Sequence, residues 1–190
     1  LRKKGRTMQD YEQISSPGSS LPPAQGLYDP AYEKDACGVG FVAHIKGKSS
    51  RDIIDKGIRL MCNLEHRGAE GAEPKTGDGA GIKISIPDKF FRKVLPFSLP
   101  PLGEYAVGML FLPQDPLIRE GVETIIEKVI IDEGEHCLGF RDVPVNPEVV
   151  GSVARKTIPV FRQVFVGKSK NTEKGDAFER KLFLIRRIID

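Results

Sequence analysis

Asp35-Ala36-Cys37-Gly38-Val39-Gly40-Phe41-Val42-Ala43 sets a thiol directly before two closely spaced glycines. A cysteine attacks carbon as its thiolate, so Cys37 could act as a nucleophile if a base removed its proton. Gly38 and Gly40 carry no Cβ and would let a substrate backbone approach closely. No histidine is near Cys37 in sequence, and nothing local would lower its pKa. A buried structural cysteine is the competing reading, and spacing alone favours it. The same stretch satisfies G-x-G-x-x-A through Gly38, Gly40 and Ala43. A dinucleotide turn of that pattern needs a strand before the glycines and a helix after them, so that pyrophosphate meets the helix N-terminus. Here Tyr28–Asp35 carries Pro30 and charges, and the residues after Gly40 read as a strand. The order is wrong for a Rossmann unit.

Two more clusters invite chemistry. In Asn63-Leu64-Glu65-His66-Arg67-Gly68-Ala69-Glu70-Gly71-Ala72, His66 and Arg67 suit the negative end of a helix and Gly68 suits its C-terminal cap. No function is needed to explain them. Thr76-Gly77-Asp78-Gly79-Ala80-Gly81 has the composition of a phosphate cradle but lacks the Lys-Ser/Thr and following helix of a P-loop. A tight turn with an Asp-Gly step accounts for it. Cys37, Cys62 and Cys137 fit no zinc or iron–sulfur spacing, and one stays unpaired under any pairing. They read as free thiols of a reduced intracellular chain. His44, His66 and His136 are too scattered for a metal site.

The elements that would position these residues alternate between strand and helix from Asp35 onward. Val39–Ile45 is a candidate strand. Ser49 and Ser50 offer an N-cap to a helix with Ile53, Ile54, Ile58, Met61 and Leu64 on one face. Gly81–Ile86 alternates Ile82, Ile84 and Ile86 with Lys83 and Ser85, and Tyr105–Leu112 is a further strand. Asp115-Pro116 opens a helix with Ile118, Val122, Ile125, Ile126 and Val129 on one face. Cys137–Val145 and Val160–Val166 read as strands around a short helix starting at Asn146-Pro147. Lys168–Gly175 is a polar loop. Asp176 caps a last helix that buries Phe178, Leu182, Ile185 and Ile189. The class is α/β, with helices packed on sheet. Periodicity leaves open whether the sheet is parallel and doubly wound or one of two antiparallel sheets.

Of the 190 residues, 39% are hydrophobic and 29% charged, enough apolar material for a core and unlike a disordered chain. A net charge of +3 without an aromatic-rich basic stripe gives no reason to expect nucleic acid. No apolar run approaches the ~18 residues of a membrane span, so no membrane partner is expected. Residues 1–26 differ from the rest: Leu1–Arg6 is basic, and Ser15–Pro23 is rich in Ser, Pro and Gly. They read as a flexible leader without the apolar stretch of a secretory signal. Cytoplasm is the expected compartment, or an organelle if the basic leader is a transit peptide.

Together the clusters resemble a specific family. Gly26-Leu27-Tyr28-Asp29-Pro30, Asp35–Phe41, Leu64-Glu65-His66-Arg67-Gly68-Ala69 and Thr76–Ile82 closely resemble the start of glutamate synthase large chains. The likeness continues through Ile86–Phe91, Arg141–Asn146, Arg162–Val166 and Phe178–Leu182, in the family's order. The resemblance implies a class II glutamine amidotransferase domain with the N-terminal-nucleophile hydrolase fold, a four-layer αββα sandwich with antiparallel sheets. It implies that residues 1–36 are a leader or propeptide and 37–190 the N-terminal part of that domain. Cleavage between Ala36 and Cys37 would supply the missing base, because a free α-amino group titrates near about 7.7–8.0. The Cys37 thiolate would then attack the side-chain amide of glutamine, release ammonia and leave a thioester for water. Arg67 resembles the family's arginine near the cysteine, in the site wall or just behind it, and Asp78 carries less of the likeness.

The family's substrate-binding arginine and Asn-Gly oxyanion segment lie further downstream, and no Asn-Gly pair occurs in these residues. The chain is therefore read as a truncated, N-terminal segment of the sandwich, inactive when isolated. The resemblance implies no cofactor in this segment, and FMN and an iron–sulfur cluster in the full-length enzyme. It implies glutamine as substrate and the remaining amidotransferase and synthase domains of the same polypeptide as partners. That enzyme would pass ammonia to 2-oxoglutarate and reduce the imine to glutamate; its electron donor is not set by these residues. The competing reading is a non-catalytic interaction module keeping part of the fold. Another class II amidotransferase is disfavoured by Thr76–Ile82 and Arg141–Asn146.

Overall fold

In the computed structural model, the residues described are Gly26, 38–64, Glu73, Thr76, Gly77 and 79–190. The chain divides into Leu1–Cys37 and Gly38–Asp190, and the elements below belong to the second unit. They are α1 (Arg51–Asn63), α2 (Asp88–Val94), β1 (Tyr105–Leu112), α3 (Pro116–Asp132), β2 (His136–Asp142), α4 (Ser152–Arg155), β3 (Val160–Gly167) and α5 (Asp176–Ile189). Helix and strand are mixed, as expected.

The three strands form one sheet in the order β1-β3-β2, with β3 antiparallel to both neighbours. Tyr105 pairs with Gly167 and Leu112 with Val160, while Cys137 pairs with Val166 and Asp142 with Arg162. Side chains alternate between faces along a strand, so β3 feeds two cores. Val164 and Val166 join Leu112, Ile126, Ile130, Phe178 and Ile185 beneath α3 and α5. Phe165 points the other way, to Phe91, Leu99 and Tyr105.

A β-bulge between Cys137 and Gly139 inserts Leu138 into β2. It offsets the alternation by one residue, so that Cys137 and Phe140 both meet the α3/α5 core while Leu138 meets the Phe165 core. Gly139 sits there at φ +141°, and a Cβ would fall 2.8 Å from the Phe97 ring. Both the backbone and the space require glycine.

Asp115 caps α3 by accepting from the backbone N–H groups of Leu117 and Ile118, at 2.9 and 3.1 Å, with Pro116 in the first turn. The buried arc of α3 is centred on Ile126 and Ile130, flanked by Val122 and Val129. Ile118 and Ile125, expected inside, fall at its edge and are exposed. Similarly, Ser50 accepts from Ile53 N–H and caps α1, whose Ile58 is exposed although Ile53, Ile54, Met61 and Leu64 are half-buried. Helix α5 buries the expected face, but its cap is Gly175 at φ +87°, with Asp176 as first helical residue.

β2 ends at Asp142 rather than Val145, since Pro144 has no N–H to continue the ladder. Pro147–Val149 is a 3₁₀ turn capped by Asn146, and the short helix α4 follows. Val39–Ile45 and Gly81–Ile86 are not strands among the described residues: neither is paired into a ladder, and ladder hydrogen bonds define a strand. No helix among the described residues is long and apolar enough to cross a membrane.

Tyr105 ties β1 to α2. Its hydroxyl donates to Asp88 Oδ1 at 2.9 Å, and Arg92 Nε donates to Asp88 Oδ2 at 2.9 Å. Arg92 also donates to the carbonyls of Leu99 and Pro100, so one guanidinium holds the turn leading into β1. The Arg92 hydrogen bond holds the Asp88 carboxyl below its usual range. Burial, then the Asp88 hydrogen bond, push the Tyr105 phenol up to about 12. A phenol whose pKa rises on folding stabilises the fold below its ordinary pKa of ~10, and that contribution disappears as pH rises through the folded value. Ultraviolet titration of the four tyrosines should show one ionising near pH 12, absent in Tyr105→Phe. Loss of a step near pH 10 on that substitution would contradict this network.

Candidate functional site

The segment after Cys37 lies along α1. A Cβ on Gly38 would sit 3.0 Å from Leu64 Cδ2, and one on Gly40 would sit 2.7 Å from both Leu60 methyls. The expectation for these glycines is the approach of a substrate backbone. Among the described residues they instead admit two leucines of α1 and its cap, with Val39 and Phe41 turned to solvent. Gly47, at φ +64°, closes the turn that follows by donating its N–H to the His44 carbonyl at 2.8 Å.

Between this segment, α1 and residues 81–87 lies a groove of about 770 Å³. Ile53, Ile54, Leu60 and Met61 of α1 face Ile82 and Ile84 across it. Its titratable lining groups are His44, Lys48 and Lys83, and among the described residues no carboxylate joins them. His44 Nδ1 accepts from Lys46 N–H at 3.0 Å, a local turn contact. The groove suits an extended apolar segment better than a small zwitterion, which would need both charges matched.

Cys37, Arg67 and Asp78 lie outside the described residues, as do His66 and Gly68. The other two cysteines differ from each other. Cys62 is exposed on α1. The apolar stripe of α1 runs through Ile53, Ile54, Leu60 and Met61, and Cys62 falls beside it. Cys137 is half-buried against the α3/α5 core, and burial pushes its thiol up, away from thiolate at neutral pH. Among the described residues, no group of three or more His, Cys, Asp or Glu could hold a metal ion.

One polar junction here has no counterpart in the sequence motifs. Glu73 accepts from Ser152 Oγ at 3.0 Å, from Val153 N–H at 3.2 Å and from Thr76 Oγ at 2.8 Å. Its partners at α4 are 79 and 80 residues away in the chain. No local pattern announces such a contact.

Comparison with known proteins places these residues. The family model for class II glutamine amidotransferases matches residues 37–190. The chain is 47% identical over 170 residues to the glutamate synthase [NADPH] large chain of Bacillus subtilis (strain 168), covering 89% of this chain and 11% of that one. It is 42% identical over 167 residues to the glutamate synthase [NADPH] large chain of Azospirillum brasilense, covering 86% and 11%. Against the ferredoxin-dependent glutamate synthase 1, chloroplastic/mitochondrial, of Arabidopsis thaliana, identity is 38% over 183 residues, covering 93% and 11%. The chain thus spans about one-tenth of the length of these relatives. Because the family match runs unbroken from Cys37 to Asp190, this chain belongs to the class II glutamine amidotransferases.

Proposed function

We propose that Cys37 is the nucleophile of a glutamine-hydrolysing site that feeds ammonia to glutamate synthesis. The observation that carries this reading is where the family match begins, at the cysteine itself. A domain opening on Cys37 implies removal of residues 1–36, and the freed α-amino group is then the base. It takes the thiol proton, Sγ bonds to the amide carbon of glutamine, and the C–N bond breaks as the same proton leaves with ammonia. Water then attacks the thioester, breaking the S–C bond and releasing glutamate.

Arg67 is proposed for the wall of this site, with Asp78 nearby. Gly38 follows Cys37 directly, and Leu64, on which it packs, precedes Arg67 by three residues. That contact supports a shared site. A four-layer sandwich would recruit the alternating segments Val39–Ile45 and Gly81–Ile86 into a second sheet. In the whole enzyme we propose transfer of ammonia to 2-oxoglutarate and reduction of the imine by a synthase part holding FMN and an iron–sulfur cluster. The three cysteines of this chain lack the spacing to ligate such a cluster. Location in the cytoplasm, or in an organelle, is part of the same proposal.

A glutamine analogue with an electrophilic side chain, given to the intact enzyme, tests the assignment. Mass spectrometry should find a mature chain starting at Cys37 and the label on that residue. Label on the exposed Cys62, or an active chain retaining Ala36, would overturn it.

A further inference from the structure

Two segments beside α1 leave their main chain unpaired. The N–H and C=O groups of residues 40–43 and 81–85 have no hydrogen-bond partner among the described residues. Each segment nevertheless rests on α1. A Cβ on Gly40 would stand 2.7 Å from the Leu60 methyls, and one on Gly57 would stand 3.0 Å from Ile82 Cδ1. Residues 57 and 60 are neighbours on one helix face, so the two segments form a single layer on α1 with the groove of about 770 Å³ between them. Apolar side chains of both segments are left in water: Phe41 is 90% exposed and Ile84 44%. Free main-chain groups beside bare apolar side chains are a template for an added strand. A small ligand would leave both rows of main-chain groups unmatched, whereas a strand pairs with them along its length.

Charge narrows what the groove takes. Its titratable lining groups are His44, Lys48 and Lys83, and none of them has an acidic partner among the described residues. His44 Nδ1 accepts from Lys46 N–H, so the ring proton sits on Nε2 and that edge of the ring is a donor as well. We propose that the groove seats one extended strand of the same polypeptide, from beyond Asp190, with apolar side chains against α1 and a carboxylate facing Lys48 or Lys83. The chain spans about one-tenth of the length of the curated relatives it matches, which gives a longer polypeptide ample chain to supply that strand. A tethered strand also competes at a high effective concentration against a free peptide or a second copy. This rests on the reading that the domain works inside a longer glutamate synthase polypeptide, and it makes no use of Cys37.

A photo-cross-linking side chain at Phe41 of the intact enzyme tests the occupant, since Phe41 lines the groove and side chains directly opposite on paired strands lie about 4.5–5.5 Å apart. Phe41→p-benzoylphenylalanine should cross-link, within one polypeptide, to a segment beyond residue 190 that carries Asp or Glu. A cross-link to a second copy, to another protein or to residues 1–190, or no cross-link at all, would overturn the proposal. Hydrogen exchange reads the pairing and the charge together. In the Lys48→Glu/Lys83→Glu double variant, exchange at residues 40–43 and 81–85 should quicken about tenfold or more, with β1 and β3 unchanged. Lys83→Met, which keeps an apolar stem, should give a smaller change and serves if the double variant does not fold. Unchanged exchange in these variants would also overturn the proposal, while a full-length intact mass leaves the longer-polypeptide reading standing. An intact polypeptide whose mass ends it at Asp190 would instead remove that reading, and this inference with it.

Discussion

Replacing Cys37 with alanine should lower glutamine hydrolysis on the order of 10⁴-fold or more, because both the attacking sulfur and the covalent route disappear. Two consequences should travel together. The variant should keep residues 1–36 attached if the same thiol cuts its own leader, or lose activity with a normal N-terminus if another agent cuts it. A Cys37→Ala chain produced without residues 1–36 separates these cases, since it has a free α-amino group at position 37 and no thiol there. It should be inactive. Cys62→Ala and Cys137→Ala are the controls: the first thiol is exposed on α1, the second is half-buried with its ionisation suppressed. Both should retain turnover. Glutamine hydrolysis within about tenfold of the parent by the leaderless Cys37→Ala chain would end the nucleophile assignment.

The short-range features of this fold are legible in the residues, and the long-range ones are not. Asp115-Pro116 and Ser50 specify their helix starts through side chains that reach only two or three residues, so sequence alone locates them. Tyr105–Leu112 is legible to the residue, because its apolar run ends at Pro113. The bulge at Leu138 is invisible there: it is set by the demand that Phe140 reach one core and Leu138 the other, with Phe97 fixing Gly139. Gly38 and Gly40 stand out as close-approach positions, but what approaches them depends on α1, a distant element. Likewise Glu73 looks like one more acid in a polar stretch, since its partners lie beyond β2. Arg67 and Asp78 stand out only through family likeness, since a helix end and a tight turn explain their local patterns equally well.

Phe165→Ala should cost the 190-residue chain about 3–5 kcal/mol of unfolding free energy, the usual range for emptying a buried phenylalanine site. Phe165 is fully buried at the centre of the middle strand, between β1 and β2. Phe91 meets it edge-on with centroids 5.0 Å apart, and Phe97 does so at 5.5 Å. Each such pair adds about 0.5–1.5 kcal/mol beyond area burial. Collapse into the void is restricted, because Phe97 is already pressed onto Gly139 and Phe91 is carried by α2, which the Asp88–Tyr105 hydrogen bond ties to β1. Phe111→Ala is the contrast within the same sheet. Phe111 is 66% exposed and, among the described residues, has a single aromatic partner, Phe161. Its loss should cost under about 1 kcal/mol. Against a total stability of about 5–15 kcal/mol, the first change moves a urea midpoint far and the second barely moves it. Far-ultraviolet circular dichroism during urea unfolding measures both. Equal shifts for the two variants would mean that Phe165 is not the keystone between β1 and β2.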